Sequence, residues 1–451
     1  MAVSTNIPGP KGLPITGNLL AFRKDPLGFL MKAFQEHGDV VRIRFGPSRY
    51  VYLISDPEQI KEVLLTKQSA FTKAKGLQTA KAVVGEGILT SEGEAHMRQR
   101  RLMQPSFRKD RIVKYASAMV DLTENMLQSW KDGEQRSLTD DMMRLTLQII
   151  SRTMFGTSIS TGVEEIGHAI DVGMKYVSHK ATSVIDIPDN IPTKANVKFK
   201  QAAHTLDEVI YRIIEERRKE PDSGHSDLLS MLLTVRDEET GSGMSDKQVR
   251  DEVMTIFIAG HETTANTLSW TWYLLSQHPE VENKLWEELD RVLSGRKPTI
   301  EDMDQLQYTQ QVIWESMRMY PAVWAVNRLV HEQVDIGGRI FEPGDTLMMS
   351  QFVMHRNPKY YDNADQFIPE RFAGDLLKRI PQFAYFPFGG GPRVCIGNNF
   401  ALMEATLLFA TIASKFKLRL APGHHEVVPE PLVTLRPKNG LNMVISARNR
   451  S

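Results

Sequence analysis

The sequence predicts a mainly α-helical protein with small β clusters. From about residue 93 to Tyr320 the apolar residues recur with helical spacing almost throughout. Short strand-like stretches precede this region and return between Val326 and Met349 and near the C-terminus. Length alone would allow about three domains. We find no internal repeat, low-complexity tract or convincing linker that would divide the chain.

Composition and charge argue against several classes of protein. The 55 basic and 55 acidic residues cancel, so no net field favours nucleic acid or an anionic membrane. The first twenty residues lack a charged head followed by an apolar core, and no run of about 18 apolar residues occurs. We therefore expect a cytoplasmic protein without a transmembrane anchor.

The N-terminal segment alternates between capped helices and strands. In DPLGFLMKAFQEHG, Asp25 suits the N-cap, a proline follows in the first turn, and Gly38 suits the C-terminal end. VVRIRFG and RYVYLIS then predict two strands. SDPEQIKEVLLTK repeats the cap-plus-proline start and predicts a second helix.

The stretch 245–278 predicts one long helix. Ser245 and Gln248 form a capping-box pair, and Pro279 marks the C-terminal end. At about 1.5 Å per residue this helix would span roughly 51 Å. It is long enough to cross the whole protein.

The AGHETT segment interrupts this apolar helix with polar groups. Gly260 lowers helix stability by about 1 kcal/mol relative to Ala. The Thr263 hydroxyl can bond back to the carbonyl of Ala259, which also weakens the helix locally. Because the flanking stretches are apolar on nearly all sides, we expect Glu262 and Thr263 in the interior. The alternative is a tolerated glycine beside a solvent-facing glutamate.

The same segment does not match the motif of zinc hydrolases. Such enzymes need His-Glu-x-x-His on one helical face, and Ala265 stands four residues after His261. The stretch HEQVD fails in the same way, since Asp335 replaces the second histidine.

The chain has a single cysteine, Cys395, in the glycine-rich stretch FPFGGGPRVCIG. A lone cysteine cannot form an intramolecular disulfide, and no thiol cluster is available for zinc or an iron–sulfur centre. Gly389, Gly391 and Pro392 disfavour a regular helix or central strand before it. The loop backbone can therefore approach a flat partner closely.

The stretch that follows Cys395, residues 396–416, predicts a helix. We expect apolar side chains along one face of it, namely Phe400, Met403, Leu407 and Thr411. Cys395 would then lie at a helix N-terminus, where free N–H groups lower a thiol pKa. Three interpretations remain open: a small buried hydrophobe, a nucleophile, or a thiolate ligand of an iron cofactor.

The spacing Phe388-x-x-Gly391-x-Arg393-x-Cys395-x-Gly397 resembles the haem-binding loop of the cytochrome P-450 superfamily. The resemblance implies that Cys395 is the axial thiolate of haem b, iron protoporphyrin IX. It also implies the family's triangular-prism fold with a long central distal helix. Residues 1–451 would then be one haem-thiolate monooxygenase domain.

Two further motifs extend the resemblance. Glu262 and Thr263 match the acid and alcohol of the oxygen-activation segment, which implies that they guide protons during catalysis. Glu315 and Arg318, three apart on one helix, and Arg371 in PERF match a buried ion-pair network of the family. An exposed pair worth a few tenths of a kcal/mol is the alternative.

Four basic positions match those that bind the haem propionates. His96 and Arg100 lie four apart in AHMRQRRLMQPSF, and Arg328 and Arg393 follow later in the chain. His96 stands where many members have tryptophan. Guanidinium groups pair with carboxylates in fork geometry, which suits this role.

The same resemblance implies where a substrate would bind. Family analogy indicates the regions 71–89, 176–197, 322–326 and 432–434 and the central helix near Ala259. They are mainly apolar, which suits fatty acids, terpenoids or steroids. We expect the pocket to include Phe71, Leu89, Ile258, Ala259, Val326 and Val433.

We therefore expect a monooxygenase that inserts one oxygen atom of O2 into an apolar small molecule. The chain continues for only about 50 residues after Cys395, so we expect no fused reductase and a separate ferredoxin or flavodoxin as electron donor. A peroxide-driven peroxygenase and a haem-binding sensor or redox carrier are the alternatives.

Overall fold

The computed structural model describes residues 7–157, 163–181, 187–188, 190–219, 227–236, 241–374, 376–424 and 427–448. Helices dominate these ranges, so the mainly α-helical class with small β clusters is confirmed. In chain order the helices are α1 (Leu19–Lys24), α2 (Pro26–His37), α3 (Pro57–Lys61), α4 (Lys75–Thr79), α5 (Lys81–Val84), α6 (Gly93–Met103), α7 (Lys109–Ile112), α8 (Ala116–Leu127), α9 (Leu138–Met154), α10 (Val163–Ala181), α11 (Lys194–Lys219), α12 (Leu228–Thr234), α13 (Asp246–Gln277), α14 (Pro279–Leu293), α15 (Gln307–Met319), α16 (Gln351–Met354), α17 (Leu376–Arg379) and α18 (Asn398–Ala413).

The strands of the described ranges form small separate sheets. They are β1 (Val40–Arg44), β2 (Tyr50–Ile54), β3 (Phe71–Lys73), β4 (Gln135–Ser137), β5 (Val326–Val330), β6 (Val334–Ile336), β7 (Arg339–Phe341), β8 (Thr346–Met349), β9 (Phe416–Leu420), β10 (Pro429–Pro431), β11 (Leu435–Pro437) and β12 (Asn442–Ala447). The largest sheet has the order β1-β2-β8-β5-β3, in which β2 and β8 are parallel and the other neighbours antiparallel.

One strand lies where the sequence predicts helix. β4 interrupts the region that we expected to be helical from residue 93 to Tyr320. Its Ser137 pairs with Asn442 of β12, in the three-stranded sheet β4-β12-β9. The partner strand is far away in the sequence, so local periodicity could not indicate this pairing.

The capped elements near the N-terminus form as predicted. The Asp25 carboxylate accepts a hydrogen bond from the Gly28 N–H at 2.9 Å and opens α2, which ends at Gly38 with a φ of 88°. Asp56 caps α3 in the same way, through the Gln59 N–H at 3.0 Å. α2 buries Leu30 and Ala33 against β1 and β2 in one small core, whereas Ile60 of α3 belongs to a second core.

The long helix α13 runs through the core of the protein. Both halves of the predicted capping box, Ser245 and Gln248, are present, and the helix continues unbroken through Gly260. A Cβ at Gly260 would lie 2.7 Å from the Cδ1 atom of Ile150 on α9. Gly260 therefore allows close packing of α9 on α13. The helix is not interrupted there.

α13 also packs against α11, α15 and α18. Because it is surrounded on most sides, almost every residue from Val249 to Ser276 is buried. Among the helices of the described ranges, none combines the length and the apolar character needed to cross a membrane.

Candidate functional site: a cavity between the cysteine loop and the central helix

A cavity of about 1380 Å³ lies between α13 and the loop that carries Cys395. Its walls come from distant parts of the chain: α6, the 85–91 loop, α10, α13, β5 and the segment 428–434. Cys395 and the pair Glu262 and Thr263 line this same cavity. The two motifs that the sequence separates by more than a hundred residues therefore share one space.

The cysteine loop is held by its own backbone. The Cys395 N–H donates to the Phe388 carbonyl at 3.0 Å, and the Val394 N–H donates to the Gly391 carbonyl at 3.1 Å. Gly391 has a φ of 66°, and a Cβ there would meet the carbonyl oxygen of Leu64. Only glycine satisfies both conditions without strain.

Cys395 faces the cavity and precedes α18 by three residues. Its surface is exposed to the cavity, while protein surrounds it on the other sides. Burial raises the pKa of the Cys395 thiol, although a hydrogen bond from the Gly397 N–H and the charge of Arg100 act in the opposite direction. The N–H group at the start of α18 thus lowers the thiol pKa as expected, but desolvation is the larger influence and the net shift is upward.

The predicted ion-pair network lies directly behind this loop. Glu315 and Arg318 are both fully buried, with Nε–Oε2 and Nη2–Oε1 distances of 2.7 and 2.8 Å. Arg371 joins them, its Nε lying 3.1 Å from Glu315 Oε1. The network is therefore internal, and the surface alternative is wrong.

His355 connects this network to the cysteine loop. Arg318 donates to the His355 carbonyl at 2.9 Å, and the His355 Nε2 accepts from the Phe386 N–H at 3.0 Å. Burial, followed by the charges of Arg318 and Arg356, holds the pKa of His355 well below its usual value. The neutral ring can therefore accept this hydrogen bond. Sequence reasoning missed His355.

The four predicted basic residues converge on one part of the cavity. His96, Arg100, Arg328 and Arg393 all line it. Arg100 donates to the Val394 carbonyl at 2.7 Å, and Arg393 donates to the Ser91 carbonyl at 3.0 Å.

A fifth basic residue, Lys73, joins this cluster and was missed by the sequence reasoning. It is buried, lines the cavity and donates from Nζ to the Ser91 carbonyl at 2.6 Å. Glu92 binds both Arg393 and the Lys73 backbone N–H. Lys73 lies in the stretch FTKAKG, which matches no motif, so the sequence does not indicate its role.

Burial and mutual repulsion lower the pKa values of three residues in this basic cluster. Burial lowers the pKa of His96 to about 3, that of Lys73 to about 7 and that of Arg328 to about 10, and the charge of Arg393 adds to each shift. His96 is therefore a neutral imidazole at neutral pH. A cluster of this kind favours the binding of anionic groups.

On α13, Glu262 and Thr263 both line the cavity. Thr263 Oγ1 donates to the Ala259 carbonyl at 2.8 Å, the predicted back-bond. Glu262 is buried, and its Oε1 accepts from the Thr434 hydroxyl at 2.6 Å. Burial raises the pKa of Glu262, while the Thr434 hydrogen bond and the charge of Arg436 oppose the rise.

Most of the predicted pocket residues line the cavity. These are Leu89, Ile258, Ala259, Val326 and Val433. Phe71 does not, and that prediction was wrong: it pairs with Val330 in the β3–β5 ladder and packs into a separate small core. In the expected region 176–197, Val177 to His179 line the cavity, whereas residues 182–186 and 189 lie outside the described ranges.

Comparison with known proteins agrees with this geometry. A family model described as Cytochrome P450 matches residues 7–443. Among similar proteins of Streptomyces melanosporofaciens, Cyclooctat-9-en-7-ol 5-monooxygenase is 37% identical over 92% of this chain and 90% of its own. Cyclooctatin synthase from the same organism is 36% identical, over 94% and 92%. Pentalenene oxygenase of Streptomyces avermitilis is 33% identical over 97% of both chains. The chain therefore belongs to the cytochrome P450 family of haem-thiolate monooxygenases.

Proposed function

We propose that this protein is a single catalytic unit that uses haem b to hydroxylate an apolar, terpenoid-type substrate. The overall reaction is RH + O2 + 2 e⁻ + 2 H⁺ → ROH + H2O. The observation that carries the proposal is that one cavity is lined both by Cys395 and by the buried Glu262 and half-buried Thr263. A ligand for iron and a route for protons thus meet at one place.

The described residues fit a haem. Its two carboxylates require cations in a partly desolvated place, which the cluster of Lys73, Arg100, Arg328 and Arg393 provides. Neutral His96 adds a ring N–H donor. Phe388 and Gly397 line the cavity on either side of Cys395 and complete the wall of the cofactor site.

Bound haem with a thiolate ligand supplies the activation of O2, because the sulfur's electron density favours O–O cleavage. The protein supplies the protons and the dry surroundings. The Thr263 hydroxyl can exchange its bond to Ala259 for one to a group in the cavity, and Glu262 can take up and release a proton at its free Oε2. Glu315, Arg318 and Arg371 act only by holding the cysteine loop in place.

The walls favour an apolar substrate. Leu89, Ile258, Ala259, Val326 and Val433 present hydrocarbon to the cavity, and burial of apolar area gives about 25 cal/mol per Å². The similar proteins are named for cyclooctat-9-en-7-ol, cyclooctatin and pentalenene. These names favour a terpenoid over a fatty acid or a steroid.

We assign electron supply to a separate ferredoxin or flavodoxin. A shallow depression beside the cysteine loop is lined by Arg101, Gln104, Arg108 and Pro392. The positive charge of this surface complements an acidic electron donor. We propose that the protein meets this donor in the cytoplasm.

Reconstitution tests the proposal. The purified holoprotein would be combined with a surrogate ferredoxin, its reductase and NADPH, and offered a panel of cyclic terpenes, fatty acids and steroids under ¹⁸O2. We expect terpene products that carry one ¹⁸O atom, with the second ¹⁸O in water. Product formed only with added hydrogen peroxide would indicate a peroxygenase, and ligand-dependent spectral changes without product would indicate a sensor or redox carrier.

A further inference from the structure

Three residues on one face of α13 bind the same short segment near the C-terminus. Glu262, Asn266 and Trp270 are spaced by four residues and so lie one above another on the helix. The Thr434 hydroxyl lies 2.6 Å from Glu262 Oε1 and 3.2 Å from Asn266 Nδ2. One turn further, the Trp270 indole N–H donates to the Leu435 carbonyl at 3.0 Å.

The direction of these hydrogen bonds follows from the donors available. The Nδ2 group of Asn266 can only donate, so the Thr434 oxygen accepts from it. The hydroxyl proton must then point elsewhere, and Glu262 Oε1 is the acceptor that it meets. This leaves the second carboxyl oxygen, Oε2, buried and without a partner in the described ranges.

Rigid packing fixes the Thr434 hydroxyl. Thr434 is 4% exposed and Asn266 and Trp270 are fully buried, so solvent does not compete for these bonds. The segment is also held from the other side, because the Leu435 N–H donates to the Ala322 carbonyl at 2.9 Å. A hydroxyl placed in this way can hold only one of the two carboxyl oxygens.

We propose that Thr434, oriented by Asn266, is a positioning residue that holds Glu262 by Oε1 and leaves Oε2 as the oxygen that takes up and releases the proton. This inference rests on the proposed role of Glu262 in proton delivery. Thr434 does not transfer the proton itself. It favours the carboxylate form by donating to Oε1 and prevents the side chain from rotating.

Two other charged groups act on Glu262. Arg436 of β11 favours the carboxylate, and Asp171 of α10 opposes it. These two form an ion pair with each other at 2.8 Å, so their effects on Glu262 partly cancel. The Thr434 hydrogen bond is therefore the larger stabilising influence on the Glu262 carboxylate, ahead of Arg436.

Infrared spectroscopy of the holoprotein tests the inference without turnover. The carbonyl band of protonated Glu262 is identified by its loss in Glu262→Gln and followed as the pH is raised. Thr434→Val keeps the shape of the side chain but removes the donor, so the band should titrate about one pH unit higher or more, a tenfold change in acid dissociation. Thr434→Ser restores the donor and should titrate as the wild type does.

A matched control separates positioning from packing. Thr271→Val removes another buried hydroxyl from α13, one that bonds only the Thr267 carbonyl within the helix. It should lose similar stability but leave the Glu262 titration unchanged. If Thr434→Val lowers the yield of holoprotein, Thr434→Ala removes the same donor with less bulk.

Turnover distinguishes failure of this inference from failure of the proposed function. Thr434→Val alone should lower product per NADPH several-fold. Added to Glu262→Gln, it should cause no further loss of product per NADPH. An unchanged Glu262 titration in Thr434→Val and Thr434→Ala would overturn the inference, even in an active enzyme. A shifted titration in a protein that oxygenates no compound of the panel would support the inference and overturn the proposed function.

Discussion

The two polar regions beside the cavity are built in opposite ways. Behind Cys395, all five N–H donors of Arg318 have acceptors: both oxygens of Glu315 and the carbonyls of His355, Ala364 and Gln366. On α13, Glu262 Oε2 and Asn266 Oδ1 are buried without a partner in the described ranges. The Arg318 guanidinium is thus saturated with hydrogen bonds, although Nδ1 of the neighbouring His355 is also buried without a partner in the part of the chain that the structure describes. The α13 pair instead keeps open acceptors on the very groups that line or adjoin the cavity.

The difference separates groups that hold the fold in place from groups that are suited to carry a proton. An unsatisfied buried polar group costs about 1–3 kcal/mol, so a sequence selected for stability alone would fill it or remove it. A proton carrier, however, needs an acceptor that is not already occupied. We infer that the Arg318 network fixes the position of the cysteine loop, whereas the open Oε2 of Glu262 suits the proton transfer proposed for it.

The largest expected effect separates the iron ligand from its scaffold. Cys395→Ser keeps the Glu315 network and should fold with nearly unchanged stability. It should nevertheless lose completely the strongly red-shifted Soret band that reduced thiolate-ligated haem shows with carbon monoxide. A histidine-type band in the wild-type protein would contradict the assignment of Cys395.

The next effect tests whether the hydrogen-bonded network around Arg318 stabilises the fold. Glu315→Ala leaves Arg318 buried without a counter-charge and removes the acidic partner of Arg371, so unfolding free energy should fall by about 3–5 kcal/mol and little holoprotein should form. The measurement is urea unfolding together with haem content.

A matched control is available in the exposed pair Glu58 and Lys61, which has the same three-residue spacing and an N–O distance of 3.4 Å. Glu58→Ala should change stability by no more than about 0.5 kcal/mol. Equal effects at Glu58 and Glu315 would remove the distinction between the two pairs.

A smaller effect is expected at Lys73, whose place in the basic cluster is seen only in the structure. Lys73→Met should weaken haem retention by roughly tenfold, because a charge-assisted hydrogen bond to a carboxylate is lost. Transfer of haem to an excess of a scavenging globin gives the rate. Lys61→Met, on the surface, should transfer haem at the wild-type rate, and so would Lys73→Met if Lys73 does not contact a propionate.

A pH-dependent effect is expected at a buried carboxyl group on the cysteine side of the cavity. Glu404 of α18 is fully buried, and neither carboxyl oxygen has a hydrogen-bond partner of good geometry in the described ranges. Burial raises the pKa of Glu404 from 4.5 to about 8, and the Thr264 hydroxyl opposes this only in part. Between these values the folded state binds more protons than the unfolded state, so stability falls as pH rises.

Glu404→Gln cannot titrate, so it should remove this contribution to the slope, at most about 1.4 kcal/mol per pH unit. Its stability relative to the wild type should increase from pH 4.5 to 8 and then level off. Urea unfolding at several pH values measures this. Parallel curves for the two proteins would mean that Glu404 is ionised throughout.

The sequence predicts local features well because local contacts determine them. The caps at Asp25 and Ser245 depend on residues three positions away, and the spacing around Cys395 suffices to identify the loop. Lys73 and Thr434 reach the site only through tertiary packing, and neither belongs to a motif. The position of Phe71 depended on strand pairing, which local patterns do not specify.

The thiol pKa of Cys395 shows a different limit. The sequence predicts its position before a helix, and the N–H group at the start of that helix does lower the thiol pKa. The sequence does not indicate how much protein surrounds the sulfur. That burial decides whether the thiol pKa rises or falls overall. Magnitudes that depend on desolvation therefore require the structure.

The most direct test of proton delivery from α13 is the coupling of NADPH oxidation to product in Thr263→Ala. Haem binding, substrate binding and NADPH consumption do not need the Thr263 hydroxyl, so they should persist. Product per NADPH should fall at least about tenfold, with the missing electrons recovered as hydrogen peroxide. The control Thr271→Ala should remain coupled. Unchanged product per NADPH in Thr263→Ala would contradict the account, because protons would then reach oxygen by a route independent of the α13 hydroxyl.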